Sequence, residues 1–179
     1  MLRPVAACLL VSTLALAACN SSPPPRWEDG GAALAIGAAR WDRAKRRAIE
    51  IRPDGSVYEG RKEILLVDRA GRVTDEDREP LAILLPDGFV AGPDDTALGR
   101  VGLSNAAPPD SANAWLAVMP NGEVVFFAPN GDRQSDGVWS GCEGAMLRTC
   151  TLVTHMIALR NYRDPHRGPA VGIGIGVGF

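Results

Sequence analysis

Between Ile49 and Phe127 one short phrase returns four times: an apolar run breaks at a glycine-centred turn, and a second β-prone run answers it. The copies are Ile49-Glu50-Ile51-Arg52-Pro53-Asp54-Gly55-Ser56-Val57-Tyr58, Leu65-Leu66-Val67-Asp68-Arg69-Ala70-Gly71-Arg72-Val73, Ile83-Leu84-Leu85-Pro86-Asp87-Gly88-Phe89-Val90 and Leu116-Ala117-Val118-Met119-Pro120-Asn121-Gly122-Glu123-Val124-Val125-Phe126-Phe127. Asp-Gly or Asn-Gly between alternating apolar runs is a strong local hairpin signal, because glycine enters positive φ without steric cost. The prolines at 53, 86, 120 and 129 pre-set φ on entry to four such turns. Gly55, Gly71 and Gly88 fall 16 and 17 residues apart and Gly122 lies 34 further on, as though one beat were omitted near Asn105. That interval suits two strands of about five residues and their turns. A second turn, Pro129-Asn130-Gly131, leads on to Gly137-Val138-Trp139, which makes the end of the region a β-meander. Asp94-Asp95 and the segment Asn105 to Asn113 read as longer loops.

After Cys142 the period changes. Ala145, Met146, Leu147, Cys150, Val153, Met156, Ile157 and Leu159 or Arg160 approximate one apolar stripe, which predicts a helix within Gly144–Asn161. Asp164-Pro165 and Gly168-Pro169 stop it. Such a helix would close the open face or edge of the meander. The expected fold is therefore mainly β (α+β): an antiparallel hairpin meander with degenerate Asp/Asn-Gly turns, closed by one C-terminal α-helix. Upstream, Ala32 to Arg47 is ambiguous. Its alanines and the cluster Arg40, Arg43, Lys45, Arg46, Arg47 allow a helix, with Trp41 packed inward and the basic residues either solvated or against lipid headgroups.

The first residues are an export signal. Arg3 supplies a positive n-region, and Val5 to Leu16 form an apolar core too short to span a bilayer. The following Leu16-Ala17-Ala18-Cys19 resembles the bacterial lipobox, which identifies the chain with the bacterial lipoproteins over residues 1–19. The resemblance implies cleavage before Cys19 and a covalent diacylglycerol with a further acyl chain on that residue, palmitate being the usual label. Two or more chains anchor stably where one does not. Asn20, standing where an inner-membrane retention signal would have Asp, implies delivery to the outer membrane. The expected organisation is a signal peptide at 1–18, a lipidated Cys19 with a Pro/Ser-rich solvated tether at 19–31, a β-meander domain with its helix at 32–161, and a Gly-rich tail at 162–179.

With Cys19 acylated, Cys142 and Cys150 remain as an even pair in an oxidising compartment, and a disulfide is the expectation. The tail presents Val171, Ile173, Ile175, Val177 and Phe179 alternating with glycine: an apolar ridge backed by bare backbone, and a candidate for docking a partner.

Other chemistry is sparsely written. His155 and His166 are the only histidines, and the cysteine spacing is unlike that of structural zinc sites, so no metal or cofactor is expected. A Cys150–His155 nucleophile pair is conceivable along the helix, but a disulfide would consume the thiol. Asp75-Glu76-Asp77-Arg78-Glu79 lacks the ordered oxygen spacing of a calcium loop and reads as a solvated turn. Trp115, Phe126, Phe127 and Trp139 fit strand positions in a core. A net charge of −2 argues against nucleic acid. The expected role is a non-enzymatic structural or binding module of the cell envelope, with the bilayer and an envelope protein as partners. The alternative is an envelope-polymer hydrolase or its accessory.

Overall fold

The computed structural model describes residues 21–163. Twelve short strands alternate with tight turns: β1 Ala39–Asp42, β2 Ile49–Ile51, β3 Ser56–Glu59, β4 Lys62–Val67, β5 Arg72–Thr74, β6 Pro80–Leu84, β7 Phe89–Ala91, β8 Ala97–Val101, β9 Asn105–Ala107, β10 Leu116–Val118, β11 Glu123–Phe127 and β12 Arg133–Ser140. Each pairs antiparallel with the next, and β1 pairs with β12 through Trp41 opposite Trp139, so the meander closes into a barrel. Closure leaves no sheet edge to protect. One helix, α1 Leu147–Arg163, follows a short 3₁₀ turn at Gly144–Met146.

The repeated turns are three-residue hairpin loops. The Gly55 N–H donates to the Arg52 carbonyl at 2.9 Å, and the Arg52 N–H donates to the Ser56 carbonyl at 2.9 Å. The Asp54 carboxylate accepts from the Ser56 N–H at 3.0 Å. The same backbone pair closes Asp68–Arg72, Leu85–Phe89 and Met119–Glu123. This is the hairpin class in which the third loop residue takes positive φ and forms a glycine bulge. Each turn also ties the barrel together sideways: the carbonyls of Gly55, Gly71, Gly88 and Gly122 accept from the N–H groups of Val67, Leu84, Val101 and Trp139.

The beat omitted from the glycine spacing near Asn105 is present in the fold. There the Ser104 carbonyl accepts from the Val118 N–H at 2.8 Å, taking the part that glycine plays elsewhere. Asn105–Ala107, expected as the start of a loop, is strand β9, and the long connection is confined to the residues between β9 and β10. Ala32 to Arg47 makes no helix. Its middle is β1, where Ala39 and Trp41 face inward while Arg40 and Asp42 face solvent. Strand alternation overrode helix propensity because β1 closes the barrel between β2 and β12.

The helix closes the meander as expected, but from within. Rather than covering one face of the meander, it lies inside the barrel: Thr149 to Val153 and His155 are each fully or almost fully hidden, as is Thr154. Seven consecutive residues span nearly two turns, so every side of the helix is covered. The polar positions off the apolar stripe are accommodated by hydrogen bonds. Thr149 Oγ1 donates to the Ala35 carbonyl at 2.6 Å and Thr154 Oγ1 to the Cys150 carbonyl at 2.7 Å. Thr151 Oγ1 lies 2.8 Å from the Leu147 carbonyl and 3.0 Å from that of Leu103. Buried hydroxyls are tolerated only when so paired.

Antiparallel order defines two mouths. The turns at Gly55, Gly71, Gly88 and Gly122 surround the one where α1 enters, beside Ala35 and Leu103, whereas the like-bonded turn from Ala128 to Asp132 lies at the other. Arg160 emerges at the other, near Glu76 in the β5–β6 turn. The segment expected to be a solvated tether is bonded to the barrel at both ends. Ser22 exchanges hydrogen bonds with Asp94 at the helix-exit mouth. Gly31 and Ala32 donate to the carbonyls of Ala70 and Leu84 at the opposite mouth. The chain thus descends the outer wall before entering the barrel.

Candidate functional site

Three regions hold the side chains that could bind or react: the axis of the barrel, the basic β1–β2 turn, and the mouth where α1 leaves. Along the axis, His155 has both ring nitrogens engaged. Trp115 Nε1–H donates to Nδ1 at 3.1 Å, which makes Nδ1 the acceptor, so Nε2–H donates to the Leu98 carbonyl at 2.8 Å. Burial lowers its pKa to about 4, despite the opposing pull of the Leu98 carbonyl. Below this, Trp139 Nε1–H donates to Thr154 Oγ1 at 3.0 Å, and the Trp139 ring stacks on Trp41 with centroids 5.7 Å apart.

Cys142 and Cys150 are joined at disulfide distance, with Cα atoms 6.0 Å apart, both buried. The cystine fastens the end of β12 to the first turn of α1. A loop this short contributes about 2.5 kcal/mol by chain-entropy reasoning. The conceivable Cys150–His155 pair is therefore spent: the sulfur lies in a disulfide and the imidazole is bonded on both sides. Among the described residues no group of three or more His, Cys, Asp or Glu is arranged to hold a metal ion.

Two members of the basic cluster, Arg40 and Arg43, pair with acidic neighbours. Arg40 pairs with Asp42 and, across the strand pair, with Glu50. Arg43 is buried, lies 5.3 Å over the Trp41 ring, and donates to the Arg47 carbonyl and the Glu59 carboxylate. No stripe or spacing in the sequence marks Arg43 as an interior residue; only the tight β1–β2 turn makes it one. Asp136, whose backbone carbonyl accepts from Trp41 Nε1, has its carboxyl pushed up by burial.

At the helix-exit mouth the acidic run Asp75 to Glu79 forms a turn. The Asp75 carboxylate accepts from the backbone of Asp77 and Glu79 at 2.9 and 3.0 Å. Glu76 pairs with Lys62 at 2.8 Å and more loosely with Arg160 at 4.0 Å, and the Lys62 hydrogen bond holds its carboxyl below the ordinary range. Arg78 pairs with Glu63 at 2.7 Å. Beneath this rim lies a cleft of about 380 Å³, walled by Ile64, Leu65, Leu81, Leu98, Met156 and Leu159, with Asp75, Glu76 and Arg160 at its polar edge. A volume of this order lies at the small end of ligand sites. The sequence separates its walls among β4, β6, β8 and α1, and no local pattern joins them.

Of the residues singled out by sequence, Cys142 and Cys150 are brought together. Cys19 and the tail positions Val171, Ile173, Ile175, Val177 and Phe179 lie outside the described residues. No helix among the described residues is long and apolar enough to cross a membrane. Comparison with known proteins returns no match to this chain, whether among family models, curated proteins or solved structures.

Proposed function

We propose that this chain is a lipid-anchored module of the bacterial cell envelope, held at the outer membrane through Cys19 and serving a structural or binding role without catalysis. The lipobox-like Leu16-Ala17-Ala18-Cys19 supplies the anchor. The observation that gives the anchor a geometric consequence is the seating of Ser22 on Asp94. Three residues of chain span at most about 11 Å, so an anchor on Cys19 holds the helix-exit mouth against the bilayer instead of letting the body hang on a long tether. The non-catalytic reading rests on the engagement of Cys142, Cys150 and His155 in a cystine and a closed hydrogen-bond chain.

Metabolic labelling with palmitate, compared between the native chain and Cys19→Ser, tests the reading. Label on the native protein, its loss in the variant and a shift of the variant from the membrane to the soluble fraction are expected. An unlabelled native protein, or a mature chain beginning at another residue, overturns it.

A further inference from the structure

We propose that the apolar cleft at the helix-exit mouth is the seat of the chain's own segment Val171–Phe179. This goes beyond the lipid-anchor reading and does not depend on it. The cleft opens where α1 ends: Met156, Leu159 and Arg160 form one of its sides, and the helix finishes at Arg163, less than one turn later. The chain that follows therefore begins at the lip of the cleft. Only the seven residues 164–170 separate α1 from Val171. They contain Asp164-Pro165 and Gly168-Pro169, steps that favour reversal of the chain rather than continuation outward.

Chemistry matches the two surfaces. In extended conformation Val171, Ile173, Ile175, Val177 and Phe179 share one face, and the intervening glycines leave the other face as bare backbone. The cleft offers aliphatic walls from four elements, with Leu81, only partly covered, at the opening. Covering the aliphatic lining of a cleft of about 380 Å³ removes apolar surface from water, which favours an apolar occupant. Tethering by so short a connection supplies an effective concentration of about millimolar order, which no free partner of similar affinity matches. At the charged rim Lys62 and Arg160 both pair with Glu76, so the contact needs no charge on the entering segment.

The test uses the full mature chain carrying Cys19→Ser, with the Cys142–Cys150 cystine intact. A cysteine pair, Leu81→Cys with Ile175→Cys, is oxidised under dilution. Separately, methyl NMR spectra are compared with and without Ile173→Ser and Ile175→Ser. An intramolecular cross-link whose yield is independent of concentration is expected. Shifts confined to methyls of Ile64, Leu65, Leu81, Leu98, Met156 and Leu159 are expected in the double variant. The proposal is overturned if these methyls are unmoved by the serine variants, or if cross-links join two copies and vanish on dilution. It is equally overturned if the methyls respond only to vesicles of phosphatidylethanolamine and phosphatidylglycerol, which would give the cleft to lipid. The cross-link keeps the outcome readable should the double serine variant fold poorly.

Discussion

His155 is the residue at which burial and ionisation meet. Its folded pKa of about 4 lies below the 6.5 of an exposed imidazole, so between these values the unfolded chain binds a proton that the folded chain refuses. Stability from this residue is therefore full above pH 6.5 and is lost as pH falls toward 4, by up to ~1.4 kcal/mol per pH unit and about 3 kcal/mol in all. Protonation also turns Nδ1 into a donor facing the donor Trp115 Nε1–H, which is the structural origin of the penalty. Urea denaturation of the native chain and His155→Gln across this range isolates the effect. The difference in their unfolding free energies should shrink as pH falls, and a difference flat with pH would show that another group carries the acid sensitivity. In the sequence His155 is one polar letter within a helical stripe; its partners sit 40 and 57 positions away.

Among the elements, the hairpin turns are where the sequence speaks most directly, yet two glycines that look alike in it are unequal in the fold. Gly122 and Gly131 both follow Pro-Asn, with φ of 83° and 86°. A Cβ on Gly122 would lie 2.0 Å from the Trp139 carbonyl oxygen, whereas one on Gly131 would meet nothing within 4 Å. Gly131→Ala should therefore cost only the left-handed backbone penalty, about 1–2 kcal/mol. Gly122→Ala should cost several kcal/mol, because it also displaces the bond from Trp139 N–H to the Gly122 carbonyl. Thermal melts of the two variants decide the matter: equal losses would mean that the sideways bonds between neighbouring hairpins contribute little. Helix α1 shows the converse, an element whose existence and ends are legible from its stripe and stop signals but whose surroundings are not. A stripe predicts one buried side; enclosure by the barrel buries Thr149, Thr151 and Thr154 off that stripe as well.

At the scale of the whole molecule, the barrel and its helix form one core. The inward residues of the strands, Trp41, Ile49, Val67, Val73, Val90, Leu116 and Trp139 among them, belong to the same buried cluster as Cys150, Leu152, Val153 and Met156. Twelve short strands around an empty lumen would leave that cluster half assembled and wet. Ending the chain after Ser140, which removes α1, should therefore abolish cooperative unfolding and near-ultraviolet dichroism rather than yield a stable hollow barrel. A truncated chain that still melts sharply would show that the strands support themselves. Closure by β1 and β12 brings the beginning and end of the sheet together, as in Arg40 opposite Ser140, a hundred residues apart.

What the sequence determined by itself is local: hairpins recurring at a fixed interval, a terminal helix and a cysteine pair. Each of these is set by the φ preference of a few residues, by periodicity over a single element, or by a short motif. What only the tertiary structure decided is that the meander closes on itself, that the helix passes through it instead of lying on it, that Ser104 keeps the beat without glycine, and that aliphatic residues from four elements meet in one cleft. These depend on strand count, twist and the space left along the axis, which are properties of all the elements packed together and leave no mark on any one stretch of sequence.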